Sequence, residues 1–168
     1  APARGPDLRG ARAAYRLAPE ERQRGMALPK LAALVLFAFP GSPTVYYGDE
    51  AGLEGFEDPM NRGTYPWNSP DRALLAWFRT LGRLRQQRPS LQSGSLEYLY
   101  AQGPALAFAR VLPGERTVAV SNAGDAPCSL TLPWSGETAR DLISGQIFLA
   151  ESGSLSLTLP PRSGFLLT

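Results

Sequence analysis

A carboxylate and a guanidinium stand four residues apart in a stretch that is rich in glycine and proline. Asp58 and Arg62 lie within residues 48–69, which hold four glycines and two prolines and have no clear hydrophobic period. That composition predicts a long loop, of the kind that is usually functional in a compact domain. A carboxylate accepts and a guanidinium donates hydrogen bonds, so the pair suits adjacent hydroxyls of a polyol. The alternative is a salt bridge that only stabilises the loop.

The same loop carries Tyr65 and Trp67, which add flat apolar faces with a polar handle. Such faces suit stacking on the weakly apolar face of a pyranose ring. The alternative is that these rings are ordinary packing residues. For Trp67 the favoured interpretation is that it joins the loop to the following helix as core.

Asp49 and Glu50 are a tempting catalytic pair, but their spacing argues against it. A retaining glycosidase needs two carboxyl groups about 5–5.5 Å apart on either side of one bond. Adjacent residues at a strand end project to opposite sides, so we interpret both acids as structural. The chain contains no histidine, which excludes histidine-based catalysis and histidine metal ligands.

Two helices and a short strand are predicted to position these residues. Pro19 and the acids that follow it predict a helix over 19–39, with a kink or restart at Pro29. A turn then leads to a short buried strand, Thr44–Tyr47. Ser69 is predicted to cap a second, amphipathic helix that ends by Pro89.

After about residue 90 the pattern changes to short β-prone runs separated by proline or glycine. Such runs predict an antiparallel sandwich, so the fold class is α+β, with a domain boundary near residue 90. Residues 1–18 are unassigned or poorly ordered. The predicted strands are Leu96–Ala101, Ala105–Val111, Thr117–Ser121, Ser129–Leu132, Ile147–Leu149, Leu155–Leu159 and Gly164–Leu167.

Charge and hydropathy exclude several partners. The net charge of +2 comes from sixteen arginines and one lysine against fifteen acids, too small an excess for a nucleic-acid partner. The longest apolar run, Leu31–Phe39, is too short to cross a membrane. A single cysteine, Cys128, excludes an internal disulfide.

We interpret the arginines before residue 25 as a solvated helix face or tail: Arg4, Arg9, Arg12, Arg16, Arg22 and Arg24.

Two consecutive motifs carry a family resemblance. The segment from Phe39 to Leu53, FPGSPTVYYGDEAGL, resembles the eighth barrel strand of α-amylase-family glycoside hydrolases with its turn and loop. The segment from Asp58 to Trp67, DPMNRGTYPW, is similar to the substrate-side loop of the neopullulanase, maltogenic amylase and maltodextrin glucosidase group. The resemblance implies the end of a (β/α)₈ barrel over 19–90, followed by a C-terminal β-sandwich over 91–168. Tyr46 and Tyr47 would then point to opposite faces, one of them into the barrel axis.

The resemblance also implies an activity and assigns residues to it. A parent enzyme would cleave α-glucosidic bonds of starch, maltodextrin or related α-glucans with retention, and Asp58 and Arg62 would bind glucose units. The family's catalytic Asp, Glu and Asp come from strands four, five and seven, which this chain lacks, so it has no catalytic residue of its own. The resemblance implies no cofactor. It is compatible with calcium in a parent enzyme, but the sequence of this chain indicates no metal site.

Two alternatives differ in class from an enzyme fragment. In one, the chain is a non-catalytic carbohydrate-binding module. In the other, the sandwich is purely structural or mediates dimerisation. A related expectation concerns residues 31–47, whose apolar surface has no barrel strands to cover it. We therefore expect this region either to self-associate or to be disordered.

Overall fold

The computed structural model describes residues 10–12, 15–56 and 58–168, in which helices precede an antiparallel β-rich part. The α+β fold class with a C-terminal β-sandwich is confirmed. The helices are α1 (Pro19–Gly25), α2 (Ala27–Ala38), α3 (Arg72–Gln87) and α4 (Pro89–Ser93). The strands are β1 (Ser95–Gln102), β2 (Ala105–Leu112), β3 (Glu115–Asn122), β4 (Cys128–Pro133), β5 (Thr138–Arg140), β6 (Ile147–Leu149), β7 (Ser154–Leu159) and β8 (Ser163–Leu167).

The predicted helix over 19–39 is divided, and the interruption lies at Met26, not at Pro29. Pro29 falls in the first turn of α2, where backbone N–H groups have no intrahelical acceptor. The missing N–H therefore costs α2 no hydrogen bond. α1 begins where predicted: Pro19 opens it, and the Glu21 carboxylate accepts a hydrogen bond from the Ala18 N–H at 3.0 Å.

The cap of α3 is Asp71, and the prediction of Ser69 was wrong. The Asp71 carboxylate accepts a hydrogen bond from the Leu74 N–H at 2.9 Å. Ser69 lies too early, in a turn where its own N–H donates to the Pro66 carbonyl. An aspartate at the N-terminus also complements the positive end of the helix dipole.

Residues 44–47 do not form the predicted strand. A strand needs a neighbour to accept and donate its backbone hydrogen bonds. None of the strands among the described residues pairs with this segment. The segment therefore lies outside the sheets and runs into the turn at Tyr47.

The β-rich part has two hydrophobic cores that share its central strands. The four-stranded sheet has the order β1-β2-β3-β8, and β4 pairs with β7 while β5 pairs with β6. Ala107 and Val118 face the second sheet, whereas Phe108 and Ala119, one residue further along, face the helices. All seven predicted strands are present. β5 is an additional strand, which the sequence did not predict because its three residues include only one apolar side chain and so show no alternation of apolar and polar residues.

The helices pack on the outer face of this four-stranded sheet. Leu31, Ala33, Leu34 and Ala38 of α2 are 1–6% exposed, so the expectation that this helix would be left bare was wrong for that side. The domain boundary near residue 90 stays a prediction. No helix of residues 10–12, 15–56 and 58–168 is long and apolar enough to cross a membrane.

Candidate functional site

The candidate site is the segment between α2 and α3, which we call the rim loop (residues 48–56 and 58–67). Its first turn depends on Gly48, which has φ +92°. A Cβ at this position would lie 2.8 Å from the side chain of Leu53. The Leu53 N–H closes the turn by donating to the Gly48 carbonyl at 2.9 Å.

Asp49 and Glu50 lie inside this turn and do not form an acid pair around a cleft. They are consecutive residues of a 3₁₀ turn, and a Glu50 carboxylate oxygen accepts from the Gly48 N–H at 3.0 Å. Partial burial, followed by the charge of Glu50, raises the pKa of Asp49. These contacts agree with a structural role for both residues.

Arg22 of α1 anchors the rim loop, a function that the sequence did not indicate. Its guanidinium donates to the Gly52 carbonyl at 3.0 Å and forms an ion pair with Glu54. Glu54 also accepts from the Leu17 N–H at 2.9 Å. The interpretation of the early arginines as solvated is therefore wrong for Arg22. No local sequence pattern predicts this contact, because the partners of Arg22 lie about thirty residues away in the chain.

Asp58 and Arg62 form an ion pair, which is the contact named by the alternative interpretation, and binding of a sugar by the pair stays a prediction. The Arg62 Nε lies 2.7 Å from an Asp58 carboxylate oxygen, and the side chains are 61% and 66% exposed for Asp58 and Arg62. The Arg62 N–H donates to the Pro59 carbonyl at 3.1 Å, which sets the turn between them.

Tyr65 and Trp67 form an aromatic pair at the end of the rim loop. Their ring centroids are 4.6 Å apart with an interplanar angle of 49°. Trp67 is 78% exposed, so the interpretation of Trp67 as core is wrong. Desolvation, then the charge of Glu50 and a hydrogen bond to it, raises the pKa of Tyr65, while the charge of Arg79 acts in the opposite direction. The Tyr65 hydroxyl therefore keeps its proton.

Tyr46 and Tyr47 do not point to opposite faces as predicted. Their rings lie 5.0 Å apart at 38°, and both are nearly half exposed. The Tyr47 hydroxyl donates to the Gly63 carbonyl at 3.2 Å. Strand alternation does not apply here because the segment is not in a sheet. With Asp49 and Asn61, the two rings line a small cavity of about 330 Å³.

A larger open cleft lies between α2 and the rim loop. Its volume is about 1380 Å³, and Leu28 and Leu36 of α2 line it together with Leu53, Met60 and Arg62 of the rim loop. Leu28 and Leu36 are 43% and 38% exposed. Exposed apolar residues of α2 and Arg62 of the Asp58–Arg62 pair therefore line the same cleft.

The described part of the chain contains no cluster of three or more histidine, cysteine, aspartate or glutamate side chains able to hold a metal ion. Cys128, the single cysteine, is half-buried beside the core between the sheets.

The comparisons with known proteins point to one family. Residues 96–166 match the family model described as Maltogenic Amylase, C-terminal domain. The chain is 33% identical over 153 residues to the amylopullulanase of Thermoanaerobacter thermohydrosulfuricus, covering 82% of this chain and 10% of that protein. It is also 33% identical over 145 residues to neopullulanase 2 of Thermoactinomyces vulgaris, covering 82% and 25%.

A solved structure gives the same result at the level of the fold. The α-amylase of Anoxybacillus superposes with a TM-score of 0.78 at 31% identity, covering 85% of this chain and 32% of that one. The chain thus spans between a tenth and a third of the length of these three relatives.

Proposed function

Because this chain corresponds to the C-terminal portion of an α-amylase-family protein, we propose that it supplies an α-glucan-binding rim and a C-terminal sandwich to a retaining glycoside hydrolase. The substrates would be starch, maltodextrin or related α-glucans. One observation carries the proposal: an exposed ion pair, Asp58–Arg62, lies on the same loop as an aromatic pair of half-buried Tyr65 and exposed Trp67.

The two pairs offer complementary contacts to a sugar chain. The Asp58 carboxylate can accept from one sugar hydroxyl, and the Arg62 guanidinium can donate to its neighbour, because both side chains are more than half exposed. The Trp67 face stacks on the apolar side of a pyranose. The Tyr65 hydroxyl donates its proton to Glu50, so its oxygen adds an acceptor at the edge of that face. Such a site holds several glucose units without acting on the bond between them.

The chain is not expected to hydrolyse the substrate alone. Retaining chemistry requires a carboxylate nucleophile and a separate carboxylic acid flanking one bond. Asp49 and Glu50 are adjacent, and Glu50 is engaged by the Gly48 N–H. The expected result of incubation with maltotetraose is therefore binding without release of shorter sugars.

Calorimetric titration with maltotetraose tests the proposal. Arg62→Ala is expected to weaken binding about tenfold, since a charge-assisted hydrogen bond contributes roughly 1.5–3 kcal/mol. Arg83→Ala is the matched control: Arg83 is an exposed arginine of α3 with no ion pair among the described residues. Loss of affinity in both variants, or in neither, would overturn the assignment of the site to the rim loop.

A second proposal concerns self-association through residues 31–47. Four large apolar or aromatic side chains of this region are 38–46% exposed: Leu36, Phe39, Tyr46 and Tyr47. Exposed apolar surface of this kind is a candidate for burial against a second copy of the chain. Leu36→Glu is expected to lower the sedimentation coefficient to that of a monomer. Leu149→Glu, on the 74% exposed side chain of β6, is expected to leave it unchanged. A wild-type chain that sediments as one monomeric species, with residues 31–47 protected from hydrogen exchange, would contradict this proposal.

A further inference from the structure

The C-terminal end of α2 is capped by two arginines from other elements. The last carbonyls of a helix have no intrahelical donor. Arg85 of α3 donates to the carbonyls of Phe37 at 2.6 Å and Phe39 at 3.2 Å, and also to that of Gly41. Arg110 of β2 donates to the Ala38 carbonyl at 2.9 Å. Consecutive carbonyls at the exit of α2 are therefore held from α3 and from the sandwich.

Arg110 also binds a second backbone segment, the end of α4 and its C-cap residue Gly94. Arg110 is 2% exposed and donates to the carbonyls of Leu91 at 2.9 Å and Gly94 at 2.9 and 3.2 Å. Among the residues that the structure describes, neither Arg110 nor Arg85 takes part in an ion pair. The negative end of the α2 dipole and these carbonyls balance the charge instead. A buried cation tolerates little displacement of such acceptors, since an unpaired buried charge is costly.

The exit of α2 has a second contact with the same strand. Phe39 packs edge to face on Phe108 at 5.5 Å between ring centroids. Phe108 and Arg110 are two residues apart on β2, so both side chains lie on the sheet face that meets the helices. The chain therefore leaves α2 between an aromatic contact and a guanidinium, and leads directly to residues 44–47 and the rim loop.

We propose that Arg110 is a positioning residue for the glucan-binding rim loop: from the sandwich, it fixes the direction in which the chain leaves α2. This inference rests on the proposed function of the rim loop. It gives the sandwich a part in substrate binding without contact with the sugar. The planar fork of arginine reaches three carbonyls in two segments at once, whereas lysine offers a single ammonium group. Arg110→Lys is therefore expected to restore the arrangement only in part.

The experiment compares Arg110→Gln and Arg110→Lys with Leu157→Ala. Leu157 is 3% exposed in the core between the two sheets, so this control destabilises the sandwich away from α2. All proteins are titrated with maltotetraose below their unfolding transitions. Arg110→Gln is expected to bind about tenfold more weakly, Arg110→Lys to lie between it and the wild type, and Leu157→Ala to bind as the wild type does.

Hydrogen exchange of residues 35–39, at the C-terminal end of α2, provides the second readout, since the helix protects these amides and the Phe39 N–H donates to the Val35 carbonyl at 2.9 Å. Exchange is expected to accelerate there in Arg110→Gln and to stay slow in Leu157→Ala. Equal affinity and equal exchange in Arg110→Gln and Leu157→Ala would overturn the proposal. If the wild-type chain binds no maltotetraose, the proposed function fails, and the exchange data alone support or overturn the positioning by Arg110. Should Arg110→Gln fail to fold, Arg110→Lys carries both comparisons.

Discussion

Glu115 of β3 accepts hydrogen bonds from both the backbone N–H and the hydroxyl of Ser90, the second residue of α4. Arg88 lies beside it, with its Nε 3.4 Å from the same carboxylate oxygen. Burial alone would raise the pKa of Glu115, but the hydrogen bonds from Ser90 and the charge of Arg88 outweigh it and lower the pKa. The carboxylate thus joins the start of α4 to the sandwich.

Glu115→Gln is expected to reduce the free energy of unfolding by about 1–2 kcal/mol at neutral pH, because it removes the charged acceptor of two hydrogen bonds. A lowered folded-state pKa means that the contribution is complete above the ordinary value of 4.5. It is lost as the pH falls through the lower folded-state value. The free energies of unfolding of the wild type and Glu115→Gln are therefore expected to approach each other as the pH falls, and urea titrations from pH 7 to pH 3 measure the difference. Glu97→Gln, on an exposed carboxylate of β1, is the control. A stability difference between the wild type and Glu115→Gln that is as large at pH 3 as at pH 7 would contradict the linkage.

The ion pair of the rim loop is expected to contribute little to stability. Both side chains are more than half exposed, and exposed pairs typically contribute about 0.2–1 kcal/mol. A double-mutant cycle with Asp58→Asn and Arg62→Gln, followed by urea unfolding, measures the coupling. A coupling above about 2 kcal/mol would identify the pair as a loop-stabilising salt bridge and weaken the case for sugar binding.

Trp67→Leu separates a stacking platform from a packing residue. Since Trp67 is 78% exposed, its replacement is expected to change the free energy of unfolding by less than about 0.5 kcal/mol while weakening maltotetraose binding. Trp134→Leu is the matched comparison, because Trp134 is 8% exposed and donates to the Thr138 carbonyl. That variant is expected to lose about 2 kcal/mol or more. Equal losses of stability in the two variants would restore the core interpretation of Trp67.

The sequence predicted those parts of the fold that depend on local pattern. The strands of the sandwich are read from alternation and turn residues, and Asp58 and Arg62 meet because they are four residues apart in one turn. The cap at Asp71 was missed because Ser69 and Asp71 both precede the same helix, and only the geometry of the turn selects between them.

Features that depend on distant residues could not be read from the sequence. Residues 44–47 have strand propensity, but no described strand lies beside them. Trp67 is a large aromatic residue of a type that is often found in a core, and its exposure depends on what packs against the rim loop. Arg22 and Arg110 bind backbone carbonyls of segments far away in sequence, and any carbonyl can accept. Such contacts leave no residue-type signal at the acceptor.

The packing of α2 on the sheet depends on a glycine in β8. A Cβ at Gly164 would lie 2.5 Å from the Val120 carbonyl oxygen and 3.1 Å from a terminal carbon of Leu31. Backbone cannot yield as a flexible side chain can, so Gly164→Ala is expected to cost about 1–3 kcal/mol. Gly25→Ala, at the last residue of α1, meets nothing within 4 Å and is expected to be neutral or slightly stabilising. Urea unfolding compares the two alanines. A Gly164→Ala protein as stable as Gly25→Ala would show that β8 does not lie as close to β3 and α2 as these distances require.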